Sequence, residues 1–135
     1  MGYTTHRTFG DQPQAWTAVK NQPFPQRVSF AVSGIVHTFR VESGFRIHVL
    51  AACAVIAALA VTRAAAVWWA IGALTVAAVM AAELFNTAVE HLADHLHPQQ
   101  HASIKIVKDC AAGAVLVASI GALGVAAAFV GSVVL

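Results

Sequence analysis

Charged residues are scarce in this sequence, and their scarcity limits the classes of protein that it can encode. Only 10% of the 135 residues are charged, whereas 59% are hydrophobic. Average soluble domains are about 25% charged and about 45–50% apolar. The composition therefore leaves a membrane protein or an unusually buried oligomer, with one compact unit expected at this length. The net charge of +2 is too small to indicate a nucleic-acid partner.

Cysteine is also scarce, and the familiar nucleotide-binding and hydrolytic motifs are missing. Cys53 and Cys110 lie in or at the edge of apolar runs, so we expect them to act as small apolar residues rather than to form a disulfide. The sequence contains no P-loop and no GxGxxG, GxSxG or HExxH motif. We expect no signal peptide, because the N-terminus is polar and the first apolar run begins late. Any chemistry must come from another arrangement of polar side chains.

Three long apolar runs stand out, and they cover 47–62, 64–82 and 110–135. A membrane-spanning helix needs about 20 mostly apolar residues. The second and third runs reach that length, and the first reaches it if its helix begins near residue 45. Trp68 and Trp69 suit the headgroup level at the start of the second span. Three buried helices of a soluble bundle are the alternative, but almost no polar face is left to meet water.

Lysine and arginine are placed unevenly around these runs, which predicts an orientation in the membrane. Five precede the first run, Arg63 alone follows it, and Lys105 and Lys108 lie between the second and third runs. Positively charged loops tend to stay on the cytoplasmic side of a membrane. We therefore expect the N-terminus and the second loop in the cytoplasm and the C-terminus on the other side.

The region before the first run is predicted to contain a flexible arm and an amphipathic helix. Residues 1–26 contain Gln, Pro and Thr and are expected to form the arm. In 28–42 apolar residues recur at helical spacing on one face, which is typical of a helix lying in the membrane surface. If this helix extends to Glu42, that carboxylate falls on the apolar side and needs a partner. If Gly44 breaks the helix, Glu42 is solvated.

We predict an all-α membrane domain over 27–135. Small residues such as Gly113, Gly121 and Gly124 would let its helices approach one another closely. The expected elements are a surface helix and three spanning helices, at 27–43, about 45–63, 64–95 including a cytoplasmic extension, and 104–133.

A polar stripe follows the second run, formed by Glu83, Asn86, Glu90 and Asp94. On a helix that turns by about 100° per residue, these four side chains share an arc of about 80°. Three carboxylates repel one another unless a hard cation such as Mg²⁺, or the two lysines of the following loop, neutralises them. Glu83 lies nearest the lipid and suits a general base. The alternative, strongest for Asp94, is a solvated face on a protruding helix.

Histidines follow the stripe and raise a second metal hypothesis. His91 and His95 are four residues apart, and His97 and His101 come after them. Zinc prefers such nitrogen ligands. However, His91 lies beside the stripe rather than within it, and histidines at the end of a helix also interact favourably with its dipole. The sequence therefore favours the carboxylates over the histidines as metal ligands.

Three segments carry a more specific signal. ELFNTAVEHLAD has the pattern E-x-x-N-[ST]-A-[VI]-E-x-x-x-D, KIVKDCAAGAVL follows it, and VESGFRIHVLAA leads into the first span. Together they resemble the small bacterial integral-membrane lipid kinases, the diacylglycerol kinase and undecaprenol kinase family, over about residues 27–130. The resemblance implies ATP-dependent phosphorylation of a lipid hydroxyl with Mg²⁺. It also implies a homotrimer with active sites between subunits, at the cytoplasmic side of a bacterial inner membrane.

The resemblance also assigns roles to the polar stripe. Glu83 matches the catalytic base that takes the proton from the lipid hydroxyl. Glu42 and Glu90 match the carboxylates that hold Mg²⁺ on ATP. Asn86 matches a polar residue that supports the site, and Asp94 completes the motif as a second supporting residue.

Further positions match residues that contact the nucleotide in this family. Lys108 and Asp109 match the pair that binds ATP, and His101 matches a histidine of the nucleotide-contacting loop. Gln100 stands where the family usually has a tyrosine, which affects that loop contact alone. Phe30 falls where an aromatic residue often approaches the nucleotide.

Two questions stay open from the sequence. The acceptor lipid is diacylglycerol or undecaprenol, and RIH at 46–48 with NTA at 86–88 looks closer to the undecaprenol-type branch. Outside the kinases, the alternative is a non-catalytic membrane-assembly or divalent-cation-binding transport protein. A transporter should place ionisable residues near the middle of the bilayer. The first two runs contain no charged residue, and the third span has none after Asp109, which disfavours transport.

Overall fold

A computed structural model describes residues 22–99 and 101–134, and within these residues the chain is helical, with no strand. The all-α prediction is thus confirmed. Most of the predicted arm, residues 1–21, lies outside the described residues. The helices, in chain order, are α1 (Phe24–Val41), α2 (Ser43–Val61), α3 (Ala66–Leu96) and α4 (Ala102–Val134).

The chain divides into two compact units between Gly34 and Ile35, a point within α1. In the first unit, the described residues 24–34 form helix, and their side chains are exposed. The exposed side chains include Val28 and Val32, two residues of the predicted apolar face. An uncovered apolar face of this kind suits a helix that rests against lipid.

The second unit begins with the end of α1 and a break at Glu42. The backbone of Glu42 is extended, with φ −100° and ψ 119°, and α2 starts at the next residue. Gly44 therefore lies inside the first turn of α2, so the break falls at Glu42 rather than at Gly44. Arg46 stabilises the end of α1, because its Nη1 donates hydrogen bonds of 3.2 and 3.1 Å to the carbonyl oxygens of Phe39 and Arg40. The last carbonyl groups of a helix need such outside donors.

Helix α3 packs against both α2 and α4. The start of α3 meets the end of α2, where Gly72 is buried beside Leu59. Trp68, near the start of α3, packs against Phe129 near the end of α4, with ring centroids 5.3 Å apart. Glycine at a helix contact lets the two backbones approach closely, which is how helices in lipid associate.

Helices α2, α3 and α4 are each long and apolar enough to cross a membrane. At about 1.5 Å per residue, the 31 residues of α3 extend about 46 Å. A bilayer has a hydrocarbon core of about 30 Å, so α3 projects beyond it. The chain is therefore a multi-pass membrane protein, and the polar stripe lies in the final turns of α3.

Candidate active site at the polar end of the helices

The four stripe residues lie on one helix, and their exposure rises along it. Glu83 is buried, with 7% of its surface exposed. Asn86 and Glu90 are half-buried, and the side chain of Asp94 is 66% exposed. The stripe therefore leads from the packed contact between α2 and α3 to the open end of α3, and its four side chains meet quite different surroundings.

Glu83 is enclosed by the first turns of α2. Its Oε1 lies 3.1 Å from Nε2 of His48, at ion-pair distance. It also lies only 3.0 Å from the point that a Cβ atom would occupy on Gly44. On its own helix, Thr87 is buried and donates a hydrogen bond of 3.0 Å from Oγ1 to the carbonyl oxygen of Glu83. The carboxylate thus has space because residue 44 lacks a side chain.

His48 was not among the predicted site residues, although the sequence contained a signal for it. It is the second residue of the run 47–62, which contains no charged residue when histidine is counted as neutral. An ionisable side chain within a span is a candidate functional residue by default. The prediction that the first two spans are free of charge overlooked this histidine.

His48 also borders an apolar cavity of about 330 Å³ between α2, α3 and α4. Alanine, valine and leucine side chains line most of it, together with Trp68 and Phe129. His48 is the titratable residue among those that line it. The imidazole ring therefore lies between a buried carboxylate and an apolar space within the membrane-spanning region.

Asn86 and Glu90 form a second feature of the stripe. Nδ2 of Asn86 donates a hydrogen bond of 3.0 Å to Oε1 of Glu90. Oδ1 of Asn86 is buried, and it has no hydrogen-bond partner among the described residues. Buried polar atoms normally have partners, so this amide oxygen is free to accept a donor or to contact a cation.

Two lysines and two aspartates meet at the start of α4. Nζ of Lys108 lies 2.7 Å from Oδ1 of Asp94 on α3, and Lys105 pairs with Asp109 one turn along its own helix. These residues line a cleft of about 730 Å³ together with His97, Pro98, Gln99, His101, Ala102 and Ile104.

The structure thus brings together some of the predicted site residues and separates others. Asp94, His101, Lys108 and Asp109 line the cleft, whereas Glu83 lies at the contact of α2 and α3. Glu42 is half-buried, and within the described residues it takes part in no side-chain hydrogen bond or ion pair. Phe30 belongs to the first unit, where its side chain is exposed. Its approach to a nucleotide stays a prediction.

The histidines are arranged differently from the predicted cluster. Nε2 of His91 lies 3.4 Å from Nε2 of His37, and the two rings meet edge to face. Over residues 22–99 and 101–134, no three His, Cys, Asp or Glu side chains come close enough together to hold a metal ion. A cation at the stripe must therefore complete its coordination with ligands from outside this set.

Comparisons with known proteins agree with the motif. The sequence profile of the prokaryotic diacylglycerol kinase family matches residues 29–130. A diacylglycerol kinase of Synechocystis sp. is 41% identical over 110 residues, which cover 81% of this chain and 62% of that protein. An undecaprenol kinase of Bacillus subtilis is 39% identical over 84 residues, which cover 62% of this chain and 68% of that protein. The chain thus spans less than two thirds of the length of the Synechocystis relative.

Proposed function

The chain belongs to the prokaryotic diacylglycerol kinase family, and we propose that it transfers the γ-phosphoryl group of ATP to the hydroxyl group of a membrane lipid. The observation that carries this proposal is the position of Glu83. Its carboxylate is buried at the contact of two membrane-spanning helices, and the stripe that begins there continues into the exposed turns of α3. A lipid hydroxyl and a water-soluble nucleotide can meet along such a stripe.

Glu83 acts as the general base in this proposal. Its carboxylate accepts the proton of the lipid hydroxyl, and the lipid oxygen then forms a bond to the γ-phosphorus. The bond from that phosphorus to the β–γ bridging oxygen breaks, and ADP leaves. Phosphoryl transfer depends mainly on positioning and on neutralising charge, so a buried and well-held carboxylate suits the role.

Glu42 and Glu90 are the proposed ligands of Mg²⁺, and Asn86 supports them. The donor set fits this ion, because Mg²⁺ is usually bound by one or two carboxylates together with substrate phosphates and water. Within the described residues, neither glutamate forms an ion pair, and Oδ1 of Asn86 lacks a hydrogen-bond donor. The bound ion would neutralise charge on the β- and γ-phosphates. Glu90 would hold it one turn beyond Asn86.

The cleft at the start of α4 is the proposed nucleotide site. Lys108 supplies a cation, and Asp109 and His101 supply polar contacts. Asp94 holds Lys108 at 2.7 Å in the free chain. An exposed pair of this kind contributes little to stability, so a polyphosphate can replace it at small cost.

The acceptor lipid is proposed to be diacylglycerol or undecaprenol, because one relative is named for each.

We further propose that the polar end of the helices faces the cytoplasm of a bacterium, where ATP is present, and that the chain forms a homotrimer. The absence of any buried residue along α4 supports an assembly in which lipid and further subunits cover this helix.

A label-transfer assay tests the function. The purified chain is incubated in mixed micelles with γ-³²P-labelled ATP and Mg²⁺, and diacylglycerol and undecaprenol are offered in parallel. We expect label in one lipid fraction and none in micelles without the lipid. Omitting Mg²⁺ should stop the transfer. If neither lipid is labelled by a chain that is folded in the same micelles, the kinase proposal fails.

A further inference from the structure

The carboxylate of Glu83 has one oxygen held against α2. Oε1 lies 3.1 Å from Nε2 of His48. Oε1 is also the nearer oxygen to the Cβ position of Gly44, at 3.0 Å, whereas Oε2 is 3.8 Å from that point. The two oxygens of the same carboxylate therefore differ, because α2 approaches one of them from both His48 and Gly44.

The pair is largely shielded from water. The side chain of Glu83 is 9% exposed and that of His48 is 23% exposed. A polar group in such surroundings needs a partner, because leaving a buried donor or acceptor unpaired costs about 1–3 kcal/mol. His48 borders an apolar cavity, and most of the side chains that line this cavity cannot accept a hydrogen bond.

We propose that His48 is a positioning residue for the base, in that its Nε2–H donates a hydrogen bond to Oε1 of Glu83 and leaves Oε2 to accept the lipid proton. This inference rests on the proposed kinase reaction. The O–H bond of the lipid breaks, the proton passes to Oε2, and the lipid oxygen bonds to the γ-phosphorus as ADP leaves. His48 gives up no proton of its own.

Histidine suits this role better than a permanent cation. A lysine beside Glu83 would favour the ionised carboxylate and weaken it as a proton acceptor. A neutral imidazole can still donate through one ring nitrogen. In the cleft, by contrast, lysines pair with Asp94 and Asp109, which accept no proton in the proposed reaction. Glu83, the proposed base, thus differs from Asp94 and Asp109 in that its partner is a histidine and not a lysine.

Two variants of His48 that differ in reach test the inference. In His48→Gln, the side-chain amide can place an N–H donor near the position of Nε2, whereas the amide in His48→Asn is too short. We expect His48→Asn to lower kcat about ten- to a hundredfold through misplacement of the carboxylate, with KM for ATP almost unchanged. His48→Gln should recover most of the lost activity. His95→Asn, a substitution at an exposed histidine of α3, is the matched control and should keep the folded state.

A double-mutant cycle with Glu83→Gln then shows whether His48 acts through the base. If it does, His48→Asn causes no further loss of kcat once Glu83 is replaced. Equal losses in both backgrounds would overturn the inference, as would a His48→Gln enzyme no better than His48→Asn. A change confined to KM for ATP would do the same. If the folded wild-type chain has no lipid kinase activity, the proposed function fails, and the inference fails because it rests on that function. Thermal unfolding in the assay micelles identifies any variant that loses its fold.

Discussion

Glu83 and Asp94 lie on the same stripe of α3, about 16 Å apart along the helix axis, yet their surroundings are opposite. Glu83 is buried against α2 and has a histidine as its partner. Asp94 is exposed in the cleft beside α4 and has a lysine as its partner. A buried carboxylate is held by its packing, whereas an exposed ion pair contributes little to stability. One helical stripe can therefore hold a fixed group at one end and exchangeable charges at the other.

Glu83→Gln, a substitution at the buried end of the stripe, is expected to lower activity the most. Glu83→Gln keeps the shape of the side chain and an oxygen that can accept from His48, but it removes the proton acceptor. Because a general base contributes about 10²- to 10⁴-fold, we expect kcat to fall by that factor. KM for ATP should change little, because the cleft is separate. Steady-state kinetics with saturating lipid measures both constants.

Glu90→Gln provides the comparison for this variant. This substitution removes a proposed ligand of Mg²⁺. The KM for the nucleotide and the Mg²⁺ concentration needed for half-maximal activity should therefore both rise. If Glu83→Gln also weakened ATP binding to the same extent as it weakened turnover, the assignment of Glu83 as the base would be rejected. The two ends of the stripe would then not differ in the way proposed.

Gly44→Ala is expected to have the next largest effect. A Cβ atom on residue 44 would lie 3.0 Å from Oε1 of Glu83, so the carboxylate must shift by a few tenths of an ångström. A misplacement of about 1 Å can cost about a hundredfold in rate, so we expect a loss of about tenfold in kcat. Alanine favours helix over glycine by up to about 1 kcal/mol, so thermal stability should not fall.

Gly34→Ala is the matched control for this prediction, because a Cβ atom there meets nothing within 4 Å. The same helix-forming gain applies without a clash at the carboxylate. If both variants retained full activity, close contact between α2 and Glu83 would not matter for turnover. The buried end of the stripe would then tolerate movement as well as the exposed end does.

The sequence predicted the helices and the stripe because both depend on local periodicity. Apolar runs set the three spans, and a spacing of three, four and four residues put Glu83, Asn86, Glu90 and Asp94 on one face. Periodicity within one helix cannot show which residue of another helix it meets. The contact of His48 with Glu83 joins two helices, and for that reason it was missed.

The break before α2 shows the same limit at shorter range. Glycine is a usual residue where a helix ends, which made Gly44 one of two possible interpretations of the break. The structure instead ends α1 at Val41 and caps its carbonyl groups with Arg46, a donor from the following helix. Gly44 matters for the contact between two helices, because the absence of a side chain there leaves space for Glu83 of α3. Neither role can be read from the residues around the break.

Lys108→Met, a substitution beside the exposed end of the stripe, is expected to have the smallest effect. Lys108→Met removes the cation that pairs with Asp94 but keeps the apolar stem of the side chain. Because exposed ion pairs contribute little to stability, the free energy of unfolding should change very little. KM for ATP should rise about tenfold, because one charge-assisted contact to a phosphate is lost, and kcat should change less than in Glu83→Gln. Thermal unfolding and steady-state kinetics in the same micelles measure these quantities. A large loss of stability with unchanged KM would mean that Lys108 holds α4 against α3 rather than binding nucleotide, and the contrast between the two ends of the stripe would be lost.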